Sequence, residues 1–591
     1  MNHEKRLWFA ILLSMALVIG WNFVFPPPQA LEIEEGGVLG GDTSVVQTTG
    51  TPSRQYSTAI NTPGYTNRTS DTVYRNEVIA DLTPRESIDI DLPYADLTFA
   101  ETGGTLSGYS LKNYLSVTES ATTRPVELVS TYENSLPDLA LTMDESDRSR
   151  LSEMRWASES NQNSVKFSIS PIVAELPSGI EISKSVLFME EDYQTELKVT
   201  VTNQTNRDLA FSTGKLDYPV QGTSAGGSFL LHFGPGLGMN DPAKAYEEQY
   251  LVTGVFGLNR KMETASTSKS WFHNFIGAPD APRGVDWVAL QNRYFAMAVV
   301  PQDFKVDANF TLDNENRHHL WVLLPTFNLG PGKTKEFTFR MFSGPKKTEI
   351  LTAFDEKLRP LDGMEPRVLP SNMAFARWMV QFLALIESVV GNWGYSIIIL
   401  TILIRTMLFP LTHFQFKSMA KMSRLKPKIE VMQKKYADDK ERMQRELMNV
   451  YKEAGVNPLG GCLPMVVQMP ILIGLFIALQ NAIDLRGVPF TLWIQDLSIP
   501  DTIFYIPGIG IPINPLPIAM GITMVIQQRI TPTPTSDPNQ KQMFTIMTLV
   551  MTVMFYNFPS GLSLYWLTQN VLSISQQYYM MKTKEDTDDG K

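Results

Sequence analysis

The stretch Gly391-Asn-Trp-Gly-Tyr-Ser-Ile-Ile-Ile-Leu-Thr-Ile-Leu-Ile-Arg-Thr-Met-Leu-Phe-Pro-Leu-Thr412 decides the reading of this 591-residue chain. Residues 391–411 are long enough, at 1.5 Å per residue, to cross a hydrocarbon core of ~30 Å as one helix. Arg405 interrupts the apolar run, and an arginine near a bilayer centre costs about 2.5 to 3.5 kcal/mol on insertion scales. No Asp or Glu occurs in this span, or in the other core spans identified below, to pair with it. Two readings are open. Arg405 precedes Pro410 by five residues, so its guanidinium sits roughly 8 Å from the helix end and can snorkel to headgroups. Alternatively it keeps its hydration in a wet cavity. At 100° per residue, Gly394, Thr401, Arg405 and Thr412 fall within about 20° of one line, a polar stripe that favours the cavity.

Outward from this helix, further apolar runs read as spans near 462–481, 513–529, 541–557 and 560–579. The loop 412–461 carries 11 Lys and Arg against 6 acidic residues, whereas 482–512 sets Arg486 against Asp484, Asp496 and Asp501. Positive loops stay cytoplasmic, so 412–461 is expected inside and 482–512 outside. The apolar helix Met373 to Val390, with Ser371 or Asn372 as cap, contains Arg377, Gln381 and Glu387. As a span it would reverse the next helix and expel the basic loop, so 371–390 is expected to lie flat on the outer interface as an amphipathic helix. Phe558-Pro-Ser-Gly561 leaves room only for a tight outer turn, so the last two spans should run antiparallel. At the amino end, an uncharged run follows Lys5 and Arg6 and stops at Pro26-Pro27-Pro28. It is too long for the apolar region of a cleaved leader, and 1–25 is expected to be a sixth transmembrane helix. Both termini are then cytoplasmic, with 580–591 a short tail and 26–390 on the outer side.

The formal charge of -10, from 51 Lys and Arg against 61 Asp and Glu, averages unlike parts. Basic and acidic residues number 2 and 1 in 1–25, 30 and 45 in 26–370, and 19 and 15 in 371–591. A block near -15 thus sits between blocks near +1 and +4. None is basic enough for a nucleic-acid surface, and the single Cys462 excludes an intramolecular disulfide framework. Residues 26–75 are rich in Thr, Ser, Gly, Pro and Gln and bury too little to offset ordering, the composition of a flexible linker. Within 76–370, alternating runs such as Glu196-Leu-Lys-Val-Thr-Val-Thr, Tyr294-Phe-Ala-Met-Ala-Val-Val and Lys335-Glu-Phe-Thr-Phe-Arg-Met-Phe recur between turns. They predict a large antiparallel β-sandwich. Gly332-Lys333-Thr334 resembles the end of a phosphate-binding loop, but the motif's first glycine would fall at Phe327 and a strand follows, so it reads as a hairpin turn. His318 and His319, adjacent in a strand, point to opposite faces and make no one-sided metal pair.

Other core helices repeat the polar stripe. Thr545, Thr548 and Thr552 share a face, and Ser563, Trp566, Asn570, Ser573 and Gln577 follow i, i+3, i+7, i+10, i+14, while Gln468 and Gln527 add single amides. Such groups either bond helix to helix, at about 0.6 to 2 kcal/mol each, or line a positive cavity that draws acidic or polar segments of a guest. In the cytoplasmic loop, Met422, Leu425, Ile429, Met432 and Tyr436 step by 3 and 4, as do Met443, Leu447, Val450 and Ala454 after Asp438-Asp439. This predicts an antiparallel helical hairpin in 412–461, interrupted or kinked at Pro427. Its methionines Met419, Met422, Met432, Met443 and Met448 form either the hairpin seam or an adaptable contact surface for clients and partners. No span contains a histidine to activate Ser563, and His413 lies at the cytoplasmic edge, which argues against an intramembrane protease. The acidic coupling residues of a transporter and the paired carboxylates of a glycosidase are not apparent either.

Three motifs, GNWGYSIIILTILIRTMLFPLT (391–412), VNPLGGCLPMVVQMPI (456–471) and NFPSGLSLYW (557–566), resemble the YidC-type membrane protein insertase family in its Gram-negative form. The resemblance is one of wording over 371–579 and of architecture before that. It implies six transmembrane helices, with a five-helix insertase core at 391–579, and a periplasmic β-supersandwich at 76–370. It also implies a hydrophilic groove open to cytoplasm and lipid, with its arginine at Arg405 and a hydroxyl at Thr401. Gln468, Gln527, Ser563 and Asn570 join these as candidate groove residues. The lipid-facing aromatic slide corresponds to Tyr565 and Trp566, Trp566 standing where many relatives carry tyrosine. The implied activity is insertion of nascent inner-membrane proteins, alone or with the SecYEG translocon and its accessory subunits, and help in their folding. No cofactor, metal or catalytic residue is expected. The tail Lys582 to Lys591 is short and slightly acidic where many relatives carry a basic extension, so the hairpin is the expected contact for a ribosome or targeting machinery.

Overall fold

The computed structural model of the chain describes residues 87–588 apart from 118–122, 131–137, 143–149, 170–178, 190–192, 212–223, 227–228, 235–252, 259–260, 265–281, 313–317, 365–374, 437–438, 455–462, 508–510 and 531–537. The expected amino-terminal span and linker, and Cys462, lie outside the described residues.

Period-two alternation builds the first half. Along Gln194–Asn203 every second residue is buried, so Thr195, Leu197, Val199 and Val201 face the core. This strand belongs to a nine-stranded antiparallel sheet. Its order is Lys261–Thr264, Thr253–Leu258, Trp287–Gln291, Phe295–Pro301, Thr334–Pro345, Gln194–Asn203, Ile180–Phe188, Ser164–Ile169, Ala157–Asn161. Trp287–Gln291 and Phe295–Pro301 are buried on both faces, which explains why they read as continuous apolar runs. A four-stranded sheet, Ser87–Asp91, Ala95–Ala100, Thr105–Val117 and Thr123–Ser130, shares this core. Phe99 meets Phe167 and Phe188 across it, with ring centroids 6.0 and 5.8 Å apart. The β-sandwich expected from alternation is therefore present.

Two details bear on the sequence reading: a turn that differs from it, and a histidine pair that agrees with it. Gly332 adopts φ +67 in a tight turn, but Phe327–Leu329 pairs with Leu209–Phe211 while Thr334–Pro345 pairs in the large sheet. The turn therefore joins two sheets and is not a hairpin. His319 does not pair with His318; its Nδ1 lies 2.9 Å from Nε2 of His232 on the neighbouring strand Leu230–Phe233.

The second half is helical: α1 Phe375–Val390, α2 Trp393–Arg424, α3 Lys426–Lys435, α4 Lys440–Glu453, α5 Leu463–Asn481, α6 Pro515–Ile530, α7 Pro538–Phe555 and α8 Ser560–Asp588. α2 runs unbroken through Pro410, and Lys421 and Arg424 in its last turn suit the negative end of its dipole. The break falls at Leu425, where Pro427 takes the first turn of α3 and its missing N–H removes no helical bond. The segment Trp393–Phe416 of α2 is long and apolar enough to cross a membrane unaided. α8 continues to Asp588, well past the expected end of the last span.

Packing follows small residues. Gly474 on α5 lets Phe375 of α1 approach so closely that a Cβ there would stand 2.4 Å from its ring. Gly521 on α6 does the same for Thr552 of α7. α8 packs chiefly between α6 and α2, and Phe555 at the end of α7 touches Trp566. The outward faces carry exposed Ile402, Leu403 and Met407 on α2, Ile522 on α6 and Leu549 and Val553 on α7. Water would penalise such a surface, and lipid would not.

The sandwich is fastened to the helices. Asp362, ending the 3-10 turn Glu356–Asp362, accepts two hydrogen bonds from Arg377 of α1, at 2.5 and 3.0 Å. Arg293 donates to the Gln480 carbonyl at 2.5 Å, Lys347 pairs with Asp484 at 2.5 Å, and Arg486 reaches the Leu115 carbonyl at 2.8 Å.

Candidate functional site

The polar interior of the helical half centres on the line where α2 meets α8. Arg405 is half-buried there, and its Nε donates to Gln569 Oε1 at 2.8 Å. One Nη also donates to Ser573 Oγ, and to the Gln569 carbonyl at a marginal 3.5 Å. Among the described residues the guanidinium meets no carboxylate. Neutral oxygens satisfy several of its five donors and leave its charge uncancelled.

Gln569 was missed by the sequence reading, which followed Ser563, Asn570, Ser573 and Gln577. At 100° per residue Gln569 is turned away from Asn570 but lies within about 40° of Ser573. The available signal was its place four residues before Ser573 and four after Tyr565. The stripe on α8 therefore divides. Gln569 and Ser573 face Arg405, whereas Asn570 Nδ2 reaches α6, donating to Thr523 Oγ1 at 3.1 Å and to the Met520 carbonyl at 3.5 Å. Both sets of bonds join helices: Gln569 and Ser573 tie α8 to Arg405 of α2, and Asn570 ties it to α6.

The remaining candidates take distinct places. Thr401, one turn before Arg405, is fully buried and closes its hydroxyl on its own helix at Ile397 O, 2.6 Å away. Ser563 is fully buried near the start of α8, and its Oγ has no partner among the described residues. Gln527 is half-buried on α6, and the Gln468 side chain lies outside the described residues. Of the aromatic pair, Tyr565 is 1% exposed within the helical core, and Trp566 is half-buried with its ring 4.9 Å from that of Phe555. The start of α8 is held from outside the bundle, since Ser560 N and Gly561 N donate to the Ile499 and Leu497 carbonyls at 2.7 and 2.9 Å. These bonds use orphan donors of the first turn.

In the basic loop, Asp439 caps α4 by accepting from Arg442 N at 3.0 Å. Met422 and Ile429 are buried as a seam, Met419, Met432 and Met443 are half-buried, and Met448 is exposed. The methionines thus divide between seam and surface.

A β-sandwich joined to helices whose outward faces are apolar, one of them long and apolar enough to cross a membrane, defines a membrane-integral helical protein with a folded domain outside the bilayer. Two family models match the chain: the YidC periplasmic domain over residues 87–362, and the 60Kd inner membrane protein over 385–587. A membrane protein insertase YidC from Geotalea uraniireducens (strain Rf4) is 32% identical over 98% of this chain and 99% of its own length. One from Syntrophobacter fumaroxidans is 30% identical over the same shares. A crystal structure of an active YidC insertase aligns over 84% of this chain and 93% of its own, at 17% identity and a TM-score of 0.33, too low to bear on geometry. The chain belongs to the YidC family of membrane protein insertases.

Proposed function

We propose that insertion proceeds beside Arg405. A nascent apolar segment enters the groove from the cytoplasm, and its acidic or polar flank is drawn toward the guanidinium instead of crossing full-thickness hydrocarbon. The segment then leaves past Tyr565 and Trp566 into lipid, released by its own hydrophobicity, with no bond made or broken by this chain. The observation that carries this reading is a half-buried guanidinium held only by neutral oxygens, which fixes the charge in place and leaves it available to a guest. Gln569 and Ser573 hold the guanidinium, Thr401, Gln468, Gln527 and Ser563 complete the polar lining, and Asn570 serves it by tying α8 to α6. The finer organisation belongs to the same proposal: 1–25 spans the inner membrane, 26–75 is a linker, and 76–370 is periplasmic. Residues 371–390 lie on the outer interface, 391–579 hold five further spans, and 580–591 face the cytoplasm with the amino terminus. The SecYEG translocon is a partner for larger clients, and the hairpin 412–461 offers exposed Met448 to a ribosome or targeting factor.

The test is insertion of small substrates whose outer segments carry acidic residues. Arg405→Ala is expected to lose it and Arg405→Lys to retain part. Full insertion by both variants would overturn the electrostatic step. Crosslinking of a stalled nascent chain from positions 401, 405 and 565 checks the path, and contact at 405 without 565 would remove the slide.

A further inference from the structure

The connection from α5 to α6 ends in an apolar ribbon that the insertase reading does not use. Phe504–Tyr505 pairs with Pro512–Ile513, and Ile503 N and Ile506 N close the ribbon onto Ile513 O and Ile511 O at 3.0 and 2.9 Å. Ile503, Phe504, Tyr505 and Ile511 are all exposed, between 44 and 53%. From Thr502 to Ile518 the sequence contains no charged residue. A connection facing water would be polar, because exposed apolar runs of this kind promote association.

The ribbon is fixed in position. Thr502 Oγ1 donates to Asn514 Oδ1 at 2.7 Å, Asn514 Nδ2 to the Tyr556 carbonyl at 2.7 Å, and Tyr556 OH back to the Pro512 carbonyl at 2.5 Å. Asp501, buried, accepts from Leu516 N in the first turn of α6 at 2.7 Å and from Trp493 Nε1 at 3.0 Å. These bonds tie the ribbon to the outer ends of α6 and α7, so its exposed edge extends the apolar outer face formed by Ile518 and Ile522 of α6.

Length gives the edge a purpose. The described helix α6 has 16 residues, and Pro532 and Pro534 follow it in the sequence and disfavour its continuation; at 1.5 Å each that is about 24 Å, short of a hydrocarbon core of ~30 Å. We propose that the paired strands of this ribbon, residues 503–506 and 511–513, are seated in the interface of the outer leaflet, where Ile503, Phe504, Tyr505 and Ile511 supply the apolar depth that α6 lacks. Aromatic rings at the outer end of a short span are suited to headgroup level, and the ribbon relieves mismatch that would otherwise thin the bilayer. The occupant of this surface is lipid. The inference rests on the topology proposed above, in which 482–512 faces outward.

The test uses the full chain with Cys462→Ser, carrying Phe504→Cys, Leu549→Cys or Ser160→Cys labelled with an environment-sensitive fluorophore. The proteins are reconstituted in phosphatidylethanolamine and phosphatidylglycerol vesicles. Leu549, exposed on α7, is the lipid reference and Ser160, exposed on the sandwich, the water reference. At 504, iodide quenching is expected to fall several-fold below that at 160. Quenching there by a nitroxide near the lipid headgroup should exceed quenching by one at the acyl-chain end. Iodide quenching equal to that at 160 would overturn the proposal. Protection from both iodide and lipid nitroxides would also overturn it, because a protein would then cover the ribbon. Labelling of Ser160→Cys in intact spheroplasts by an impermeant maleimide tests sidedness separately. Its failure would remove the topology whatever the result at 504.

Discussion

Lys184 and Arg405 are both cations set inside the protein with no carboxylate partner among the described residues, one in the periplasmic sandwich and one in the helical core. Lys184 is 1% exposed, donates to the Gly103 and Leu139 carbonyls at 2.5 and 2.9 Å, and lies 4.7 Å from the centroid of the Trp156 ring. Burial lowers its pKa to about 7, so at neutral pH the site holds much of it as the amine. Arg405 remains charged, since a guanidinium does not titrate in this range, and its partners are side-chain and backbone oxygens of α8. The sandwich buries a lysine by completing its shell with fixed backbone, whereas the core keeps an arginine in an incomplete shell. The first arrangement is closed by the fold itself, and the second is the one proposed above to receive a guest.

Exchange of these roles is the largest effect to look for. Arg405→Ala should abolish insertion of substrates with charged outer segments while the sandwich unfolds as before. Lys184→Ala should leave insertion close to normal and destabilise the sandwich by about 2 to 4 kcal/mol, through lost packing on Trp156 and two unmet carbonyls. Insertion assays beside thermal unfolding of the full protein in detergent measure both. Loss of insertion in Lys184→Ala without loss of folding would erase the distinction.

The joint between the two regions comes next. Asp362 is fully buried and Arg377 nearly so, and their paired hydrogen bonds hold the sandwich to α1, which itself packs on α5 and α2. Removing one partner of such a pair costs about 3 to 5 kcal/mol, whereas replacing both with apolar residues of similar volume is close to neutral. Arg377→Ala should therefore lower the unfolding temperature of the full protein in detergent, and the double variant Asp362→Leu, Arg377→Met should restore it. Failure of the double variant to recover would mean that the charge itself, not the packing, aligns the two regions.

The two regions were not equally legible in the sequence. Strand alternation, as along Gln194–Asn203, follows from one buried face and can be read from side chains alone. Which strands become neighbours cannot, and the turn at Gly332 passed for a hairpin because the partner of Phe327–Leu329 lies more than a hundred residues away at Leu209–Phe211. In the core, Arg405 was conspicuous because its cost in lipid is high, but Gln569 was not, because an amide on a helix can turn toward any of several neighbours. Its selection depends on how α8 rotates between α6 and α2. Tyr565 illustrates the same limit, since its burial is set by that rotation and not by its sequence neighbours. The unbroken passage of α2 through Pro410 was hidden because proline usually marks an end.

A smaller effect tests how tightly the core itself is built. At Gly521 a Cβ would stand 2.7 Å from Thr552 Oγ1, whose hydroxyl already donates to the Thr548 carbonyl at 2.9 Å. Gly521→Val forces α6 and α7 apart and should cost about 1 to 3 kcal/mol as overpacking. Thr552→Ala in the same chain should recover part of it. Thermal stability in detergent is the measurement, and an undiminished Gly521→Val would show that α7 moves freely against α6.

The last effect returns to buried charge in the sandwich. Asp138 is fully buried, accepts from Gly234 N at 2.7 Å, and borders a small cavity with Tyr109, Thr195 and Ser343. Burial raises its pKa from 3.8 to about 7, against the lowering effect of the Gly234 N–H. Between those values the folded state holds a proton that the unfolded chain has released, so stability should fall as pH rises from about 4 to 7. Lys184 acts oppositely. Its pKa is depressed from 10.5 to about 7, so above neutrality the unfolded chain binds the extra proton and stability should rise toward pH 10.5. Together they give a minimum of stability near neutral pH. Asp138→Asn should flatten the acid limb and leave the alkaline one, while Lys184→Met should do the reverse. Unfolding temperatures across that range decide it, and an acid limb that survives Asp138→Asn would assign the proton to another group.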